Sequence, residues 1–155
     1  MSKKNNALPE EARLIEMLNR RLADAIDLQL QCRQAYWNVK GPNFLSLREL
    51  FDKVAEEVEE YANLIAERIV QLGGKAEGTV YAVAGRSSLD GHLVASTGHI
   101  DTLATTLTDF GRHTRYASAQ ATELKDADTA AIFTEIARGI DKWLWFVETS
   151  QQSGN

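Results

Sequence analysis

Six side chains on one stretch of this sequence have the types and spacing to do chemistry together: Arg48, Asp52, Glu56, Glu59, Asn63 and Glu67. On a helical wheel at about 100° per residue they share one face, within roughly 100° of arc. Grouped carboxylates suit hard cations. They equally suit plain solvation, because exposed charge is the norm. Asp52 and Asn63 lie eleven residues apart, roughly 16 Å along a helix axis. One ion cannot touch both within one chain. Two copies packed antiparallel about a two-fold axis would bring Asp52 of one toward Asn63 and Glu67 of the other, using the same patch twice. The stripe therefore reads as half of a site shared between subunits.

The elements that must carry this stripe are helical. The spacing of Leu14, Leu18, Leu22 and Ala25 predicts a first helix from about Pro9 to Trp37. Pro9, Glu10 and Glu11 suit its start. The turn residues from Asn38 to Asn43 break it. A second helix runs from about Leu45 to Leu72 and stops at Gly73-Gly74. Its apolar side is Leu47, Phe51, Val54, Val58, Tyr61, Ile65, Ile69 and Leu72, opposite the charged stripe. A long connection follows, from about Gly73 to Thr97, with Ser87-Ser88-Leu89-Asp90 as a cap for a short helix. So long a connection in a compact domain needs a reason, and a crossover between parallel helices is one. A third helix is expected from about Gly98 to Leu124, with Leu103, Leu107 and Phe110 inward. A fourth is expected from Asp128-Thr129 to Ser150, with Phe133, Ile136, Ile140, Trp143, Leu144 and Val147 inward. The expected fold is all-α, a four-helix bundle with a long crossover carrying a short helix. Residues 1–8 read as a flexible tail, 9–150 as the domain and 151–155 as a frayed end.

The composition fits. A chain of 155 residues forms one domain with a real core. Its net charge of −5 argues against a general attraction to nucleic acid. Cys32 is the single cysteine, so no internal disulfide or CxxC metal site exists. It reads as a small buried hydrophobe in a reducing, cytoplasmic setting. The start lacks the apolar run of a secretory signal, and no stretch is long enough to span a membrane. His92, His99 and His113 read as surface or capping residues.

The segment Gln34-Ala35-Tyr36-Trp37-Asn38-Val39-Lys40-Gly41-Pro42-Asn43-Phe44, followed by Leu47-Arg48-Glu49-Leu50-Phe51-Asp52, resembles the signature of the Dps family, the DNA-binding proteins from starved cells. Ala66-Glu67-Arg68-Ile69, Gln71-Leu72-Gly73-Gly74, Asp126-Ala127-Asp128-Thr129-Ala130 and Asp141-Lys142-Trp143-Leu144-Trp145 extend the resemblance along nearly the whole chain. It implies a ferritin-like bundle and a hollow cage of twelve subunits. In such a cage iron(II) is oxidised, usually with hydrogen peroxide, and stored as mineral. It places the oxidation site between two-fold-related subunits, where the stripe requires a partner. A ferritin-type site inside the bundle is excluded, since no histidine follows a glutamate at the Glu-x-x-His spacing.

The chain departs from the family at the site itself. Where the family has histidine ligands this chain has Tyr36 and Arg48, and where it has an aspartate this chain has Asn63. Asp52 and Glu67 match retained ligands. A guanidinium has no lone pair to donate to a metal. Arg48 is expected to pair with Asp52 one turn away and with Glu67 across the interface. Tyr36 is expected to hydrogen-bond a carboxylate, or simply to pack. Trp37 is expected to pack, although its counterpart in the family sits near the site. Glu56, Glu59 and Glu60 are candidates for seeding mineral inside a cage. Asp126 and Asp128 resemble acidic residues near the family's three-fold pores, or serve as solvated charges and caps. Ala131 stands where an aspartate usually follows, which weakens such a pore.

Three functions follow as expectations. The first is a Dps-like cage subunit that sequesters iron against oxidative stress, with a degenerate oxidation site. The second is a working ferroxidase using Asp52, Glu67 and a substitute such as Glu56. The third is a structural or co-assembling shell without iron chemistry. The expected partner is further copies of the chain, meeting at a two-fold interface through helix two. Lys3 and Lys4 give only a short basic tail, so DNA binding has weak support.

Overall fold

The computed structural model describes residues 9–91 and 100–153. Five helices form it: α1 (Glu10–Asn38), α2 (Phe44–Gln71), the short α3 (Val80–Arg86), α4 (Ile100–Glu123) and α5 (Ala127–Ser153). No strand occurs among the described residues. The helix bounds fall within about two residues of the expected ones, apart from the C-terminal end. There α5 continues three residues beyond the expected Ser150.

α1 packs along α2, and α4 along α5; α1 also meets α4, and α2 meets α5. Every inward stripe read from the sequence lies in one core. Leu18, Leu28, Phe51, Ile65, Ile69, Leu103, Leu107, Phe110, Phe133, Ile136 and Ile140 are wholly buried there. Only Leu47, Leu72 and Leu144 of the expected inward positions sit half-buried at its edge. Fully burying such a side chain contributes about 1.5–3 kcal/mol.

The end of α2 is set by glycine. Gly73 takes φ +84°, a left-handed conformation that costs other residues strain. The Gly74 N–H then bonds the Ile69 carbonyl at 2.9 Å, and the Gly73 N–H bonds that of Val70 at 3.0 Å. This closes the helix with its last carbonyls satisfied. Lys125 (φ +62°) does the same after α4, in a connection so short that α4 and α5 must run antiparallel.

The long crossover is tied to α1 by buried polar side chains. Asn19 Nδ2 donates to the Lys75 carbonyl at 3.0 Å, and the Glu77 N–H donates to Asn19 Oδ1 at 2.9 Å. Further along, the Ser88 N–H donates to Asp24 Oδ1 at 2.8 Å and the Ser87 hydroxyl to Asp27 Oδ2 at 2.6 Å. Gln31 Nε2 reaches the Asp90 carbonyl at 3.3 Å. The partners advance along α1 from Asn19 to Gln31, roughly 18 Å. The crossover thus returns toward the end of the bundle where α2 began, which makes α4 parallel to α2.

The described short helix of the crossover, α3, lies before Ser87-Ser88: the Thr79 hydroxyl caps its start by accepting from the Ala82 N–H at 3.3 Å, and Ser87 ends it. A helix that Ser87-Ser88-Leu89-Asp90 would cap falls on residues 92–99, outside the described residues. Residues 92–99, with His92 and His99, and the tail residues 1–8 lie outside the described residues. No described helix is long and apolar enough to cross a membrane.

At the α2–α5 contact, a methyl group built on Gly139 would overlap the Tyr61 hydroxyl. Replacing Gly139 with Ala gains about 1 kcal/mol of helix propensity. It also forces Tyr61 out of its slot, and overpacking of that kind costs about 1–3 kcal/mol. The expected net result is a loss of up to about 2 kcal/mol in chemical denaturation. Adding Tyr61→Phe should restore part of it: the worst overlap, with the hydroxyl, is gone, while the ring carbon Cζ at 2.8 Å must still shift.

Candidate functional site

α2 carries the stripe outward as the wheel requires. Arg48, Glu56, Glu59, Asn63 and Glu67 are exposed and Asp52 is half-buried. The neighbours of the stripe differ from the expected ones. Arg33 of α1, not Arg48, holds Asp52, through an Nη1–Oδ1 contact of 2.5 Å. Arg48 instead lies over the Tyr36 ring, with its guanidinium carbon 4.4 Å from the centroid. Arg33 approaches the same ring at 5.9 Å. Tyr36 is therefore flanked by two guanidinium groups, as a π-face attracts cations. The expected Arg48–Asp52 pair is absent because Arg33 reaches the carboxylate first and the aromatic face offers Arg48 a better seat. The Arg33 guanidinium is held protonated even more firmly than usual. Its hydrogen bond to Asp52 is the main cause; burial opposes it, and the Asp52, Glu56 and Glu59 charges reinforce it.

Trp37 was expected to pack, but it is 72% exposed in the single chain, because it falls on the outer face of the last turn of α1. Tyr36 is half-buried against the core. Cys32 is fully buried, and burial pushes its thiol up to about 12, so it stays an inert hydrophobe. Glu67 borders a shallow, mostly apolar groove with Ala66, Val70, Gln71 and Ala76. His113 is half-buried; burial first, then the Arg21 charge, lower its pKa below the ordinary value.

Glu56, Glu59 and Glu60 line an open groove of about 830 Å³ that continues to Glu135 of α5. Among the described residues of one chain, no three His, Cys, Asp or Glu side chains converge to hold a metal ion. A site shared across a two-fold axis would draw its ligands from two chains.

Asp126 has a structural task. It accepts from the Thr129 N–H at 3.0 Å at the start of α5, and Arg68 Nη2 donates to both its oxygens at 3.0 Å. Burial alone would raise its pKa. The Thr129 N–H and the Arg68 guanidinium outweigh burial and hold the carboxyl below its ordinary value. A depressed folded pKa stabilises above the unfolded value, about 3.9, and that contribution is lost as pH falls through the folded value. Asp126→Ala should therefore lose about 1–2 kcal/mol at pH 7 in urea denaturation. The gap to the parent should narrow below about pH 4. Asp128, one turn position on, is exposed.

Sequence reading missed Arg33. The signal was present: Arg33 stands three residues before Tyr36 on α1 and so shares its face. It also missed Glu57, which accepts from the Tyr61 hydroxyl at 3.0 Å and the Trp143 indole N–H at 3.2 Å.

The fold and the outward stripe define a ferritin-like bundle, and residues 15–153 match the family model of the ferritin-like domain. A DNA protection during starvation protein of Agrobacterium fabrum is 38% identical over 155 residues, spanning 97% of this chain and 96% of that protein. The crystal structure of a Dps protein from Bacillus brevis superposes with a TM-score of 0.85 at 25% identity, covering 94% of this chain and 99% of that one. Mycobacterium smegmatis Dps, in a tetragonal form, gives 0.84 at 26% identity, covering 96% and 94%. This chain belongs to the Dps family.

Proposed function

We propose that this chain is the subunit of a cytoplasmic Dps-type cage of twelve copies that sequesters iron, its substrate, and that its inter-subunit oxidation site has become a charge-and-aromatic cluster. The observation that carries this reading is the pair of guanidinium groups at the site. Arg33 occupies Asp52, and Arg48 is seated on Tyr36. A fixed cation stands where a metal would supply positive charge, and it offers no lone pair. Asn63 removes one negative charge that a metal would have balanced.

The two-fold arrangement has support along the whole of α2. An antiparallel register that sets position 48 against 67 also sets 52 against 63 and 45 against 70. Arg48 then meets Glu67 of the second copy, and Leu45 meets Val70. Leu45 and Val70 are 73% and 62% exposed in the single chain, so this register covers both. An isologous interface requires that kind of self-complementarity.

Iron soaking with anomalous diffraction tests the site. A strong peak between Asp52 and Glu67 of the second copy would sink the degenerate reading and favour a working ferroxidase. Mineral loading of the cage with iron(II) and an added oxidant tests the storage role; failure to load leaves a shell without iron chemistry. DNA has only weak support as a partner, given a net charge of −5. A gel shift at low salt, where phosphate contacts are strongest, should show no retardation.

A further inference from the structure

The ridge of α1 that ties down the crossover holds a buried cation with an incomplete set of partners. Arg21 is 8% exposed and Asp24 is wholly buried. Arg21 Nη2 donates to the Ser88 hydroxyl at 3.3 Å, a long contact to a neutral group. Its Nε lies 3.1 Å from Asp24 Oδ2 but makes no hydrogen bond among the described residues. Asp24 is shared: besides balancing Arg21 it accepts the Ser88 N–H at 2.8 Å and the Ser88 hydroxyl at 3.0 Å. One carboxylate thus neutralises the guanidinium and clamps the crossover. His113 faces this group from α4, which packs on α1, and is half-buried. The charges acting on it are Arg21 and Asp24 from α1, and Arg112 and Asp109 from its own helix. Arg112 and Asp109 pair with each other at 2.9 Å and largely cancel. The crossover meets the cluster through Ser87 and Ser88, which carry no charge. The balance at His113 is therefore set by Arg21 and Asp24.

We propose that His113 is a proton-operated latch on the crossover: a proton on its ring draws Asp24 away from Ser88 and frees the crossover around Ser87-Ser88 from α1. A neutral imidazole leaves one cation on one carboxylate. A protonated imidazole sets two cations on it in a partly dry site, where their repulsion is strong. Admitting water relieves that repulsion, and the crossover is the piece that gives way, because only hydrogen bonds to Asp24 and Asp27 hold it there. Burial first, then the Arg21 charge, hold the His113 pKa below its ordinary value. Opening the latch returns it toward about 6.5. The latch therefore holds fully above about pH 6.5 and weakens as pH falls through the lower closed-state value. The Asn19 anchor at Lys75 and Glu77 carries no titrating group and stays fastened. The latch lies within one subunit and does not depend on iron chemistry at the two-fold site.

The test is hydrogen exchange by mass spectrometry on the assembled protein between about pH 8 and about pH 5, where histidine titrates and ordinary carboxylates stay charged. Rates are divided by those of an unstructured peptide at each pH. In the parent, exchange from Val80 to Asp90 should quicken by at least about fivefold across this range, the scale of a linked proton, while Lys75 to Glu77 changes little. His113→Gln should hold the high-pH protection throughout. His113→Arg, a permanent cation, should show the fast exchange already at the high-pH end. His92→Gln/His99→Gln should behave as the parent, which assigns the transition to His113. A parent whose Val80–Asp90 exchange ignores pH, a transition that survives in His113→Gln, or one that disappears in His92→Gln/His99→Gln would each overturn the proposal.

Discussion

Replacing Tyr36 and Arg48 with histidine and Asn63 with aspartate should raise the initial rate of peroxide-driven iron(II) oxidation by about 10²-fold. The estimate is conservative, since loss of even outer-shell support costs a metal site about 10–100-fold, and here three ligand positions are restored. Arg48→His alone should do little. Asn63 would still lack a charge, and Arg33 would still hold Asp52 in a charge-assisted hydrogen bond. Arg33 therefore competes with any incoming ion, and adding Arg33→Gln to the triple variant should give roughly a further tenfold. Without iron, the same variants should assemble less firmly. In the proposed two-fold register they lose the Arg48–Glu67 pairing and gain an unbalanced carboxylate, so their dissociation by dilution should come at higher protein concentration. Stopped-flow absorbance and analytical ultracentrifugation read the two effects, which carry opposite signs. A parent that oxidises iron as fast as the triple variant contradicts the degenerate-site reading.

The sequence made the α2 stripe legible because a helix has one period, and position along the chain gives angular position around it. The core was legible for the same reason, down to Phe51, Phe110 and Phe133. The partner of Asp52 was not, because Arg33 lies nineteen residues away on another helix. Helix-local pairing favours Arg48 at i−4, and only the docking of α1 on α2 decides between them. The crossover was read as a length without an anchor. Its anchors, Asn19, Asp24 and Gln31, are polar residues on the buried side of α1. A hydropathy reading assigns such residues to the surface. They pass inside because the crossover supplies hydrogen-bond partners that only the folded chain brings near. Ser87 and Ser88 have the chemistry of helix caps, and their hydroxyls also bond α1 carboxylates, partners that only the folded chain brings near.

That same buried ridge carries the largest expected effect on stability. Asp24 is wholly buried; its Oδ2 lies 3.1 Å from Arg21 Nε, and its Oδ1 accepts the Ser88 N–H at 2.8 Å. The Ser88 hydroxyl adds contacts at 3.0 and 3.2 Å. Burial already lowers the pKa of Arg21, and the Asp24 charge is what opposes that shift. Asp24→Ala leaves the guanidinium buried without its counter-charge and orphans the Ser88 N–H. Removing one partner of a buried pair costs about 3–5 kcal/mol, and at this chain length each kcal/mol lowers Tm by about 2–4 °C. A drop near 10 °C is therefore expected at fixed protein concentration. Asp24→Asn should fall between, since its carbonyl still accepts the Ser88 N–H while the charge is lost. The double replacement Arg21→Met/Asp24→Leu separates the two contributions, because it removes both charges and keeps the volume. If the ion pair dominates, the double variant recovers most of the loss. If the tether to Ser88 dominates, the double variant stays as unstable as Asp24→Ala, and hydrogen exchange quickens first along the crossover from Lys75 to Asp90.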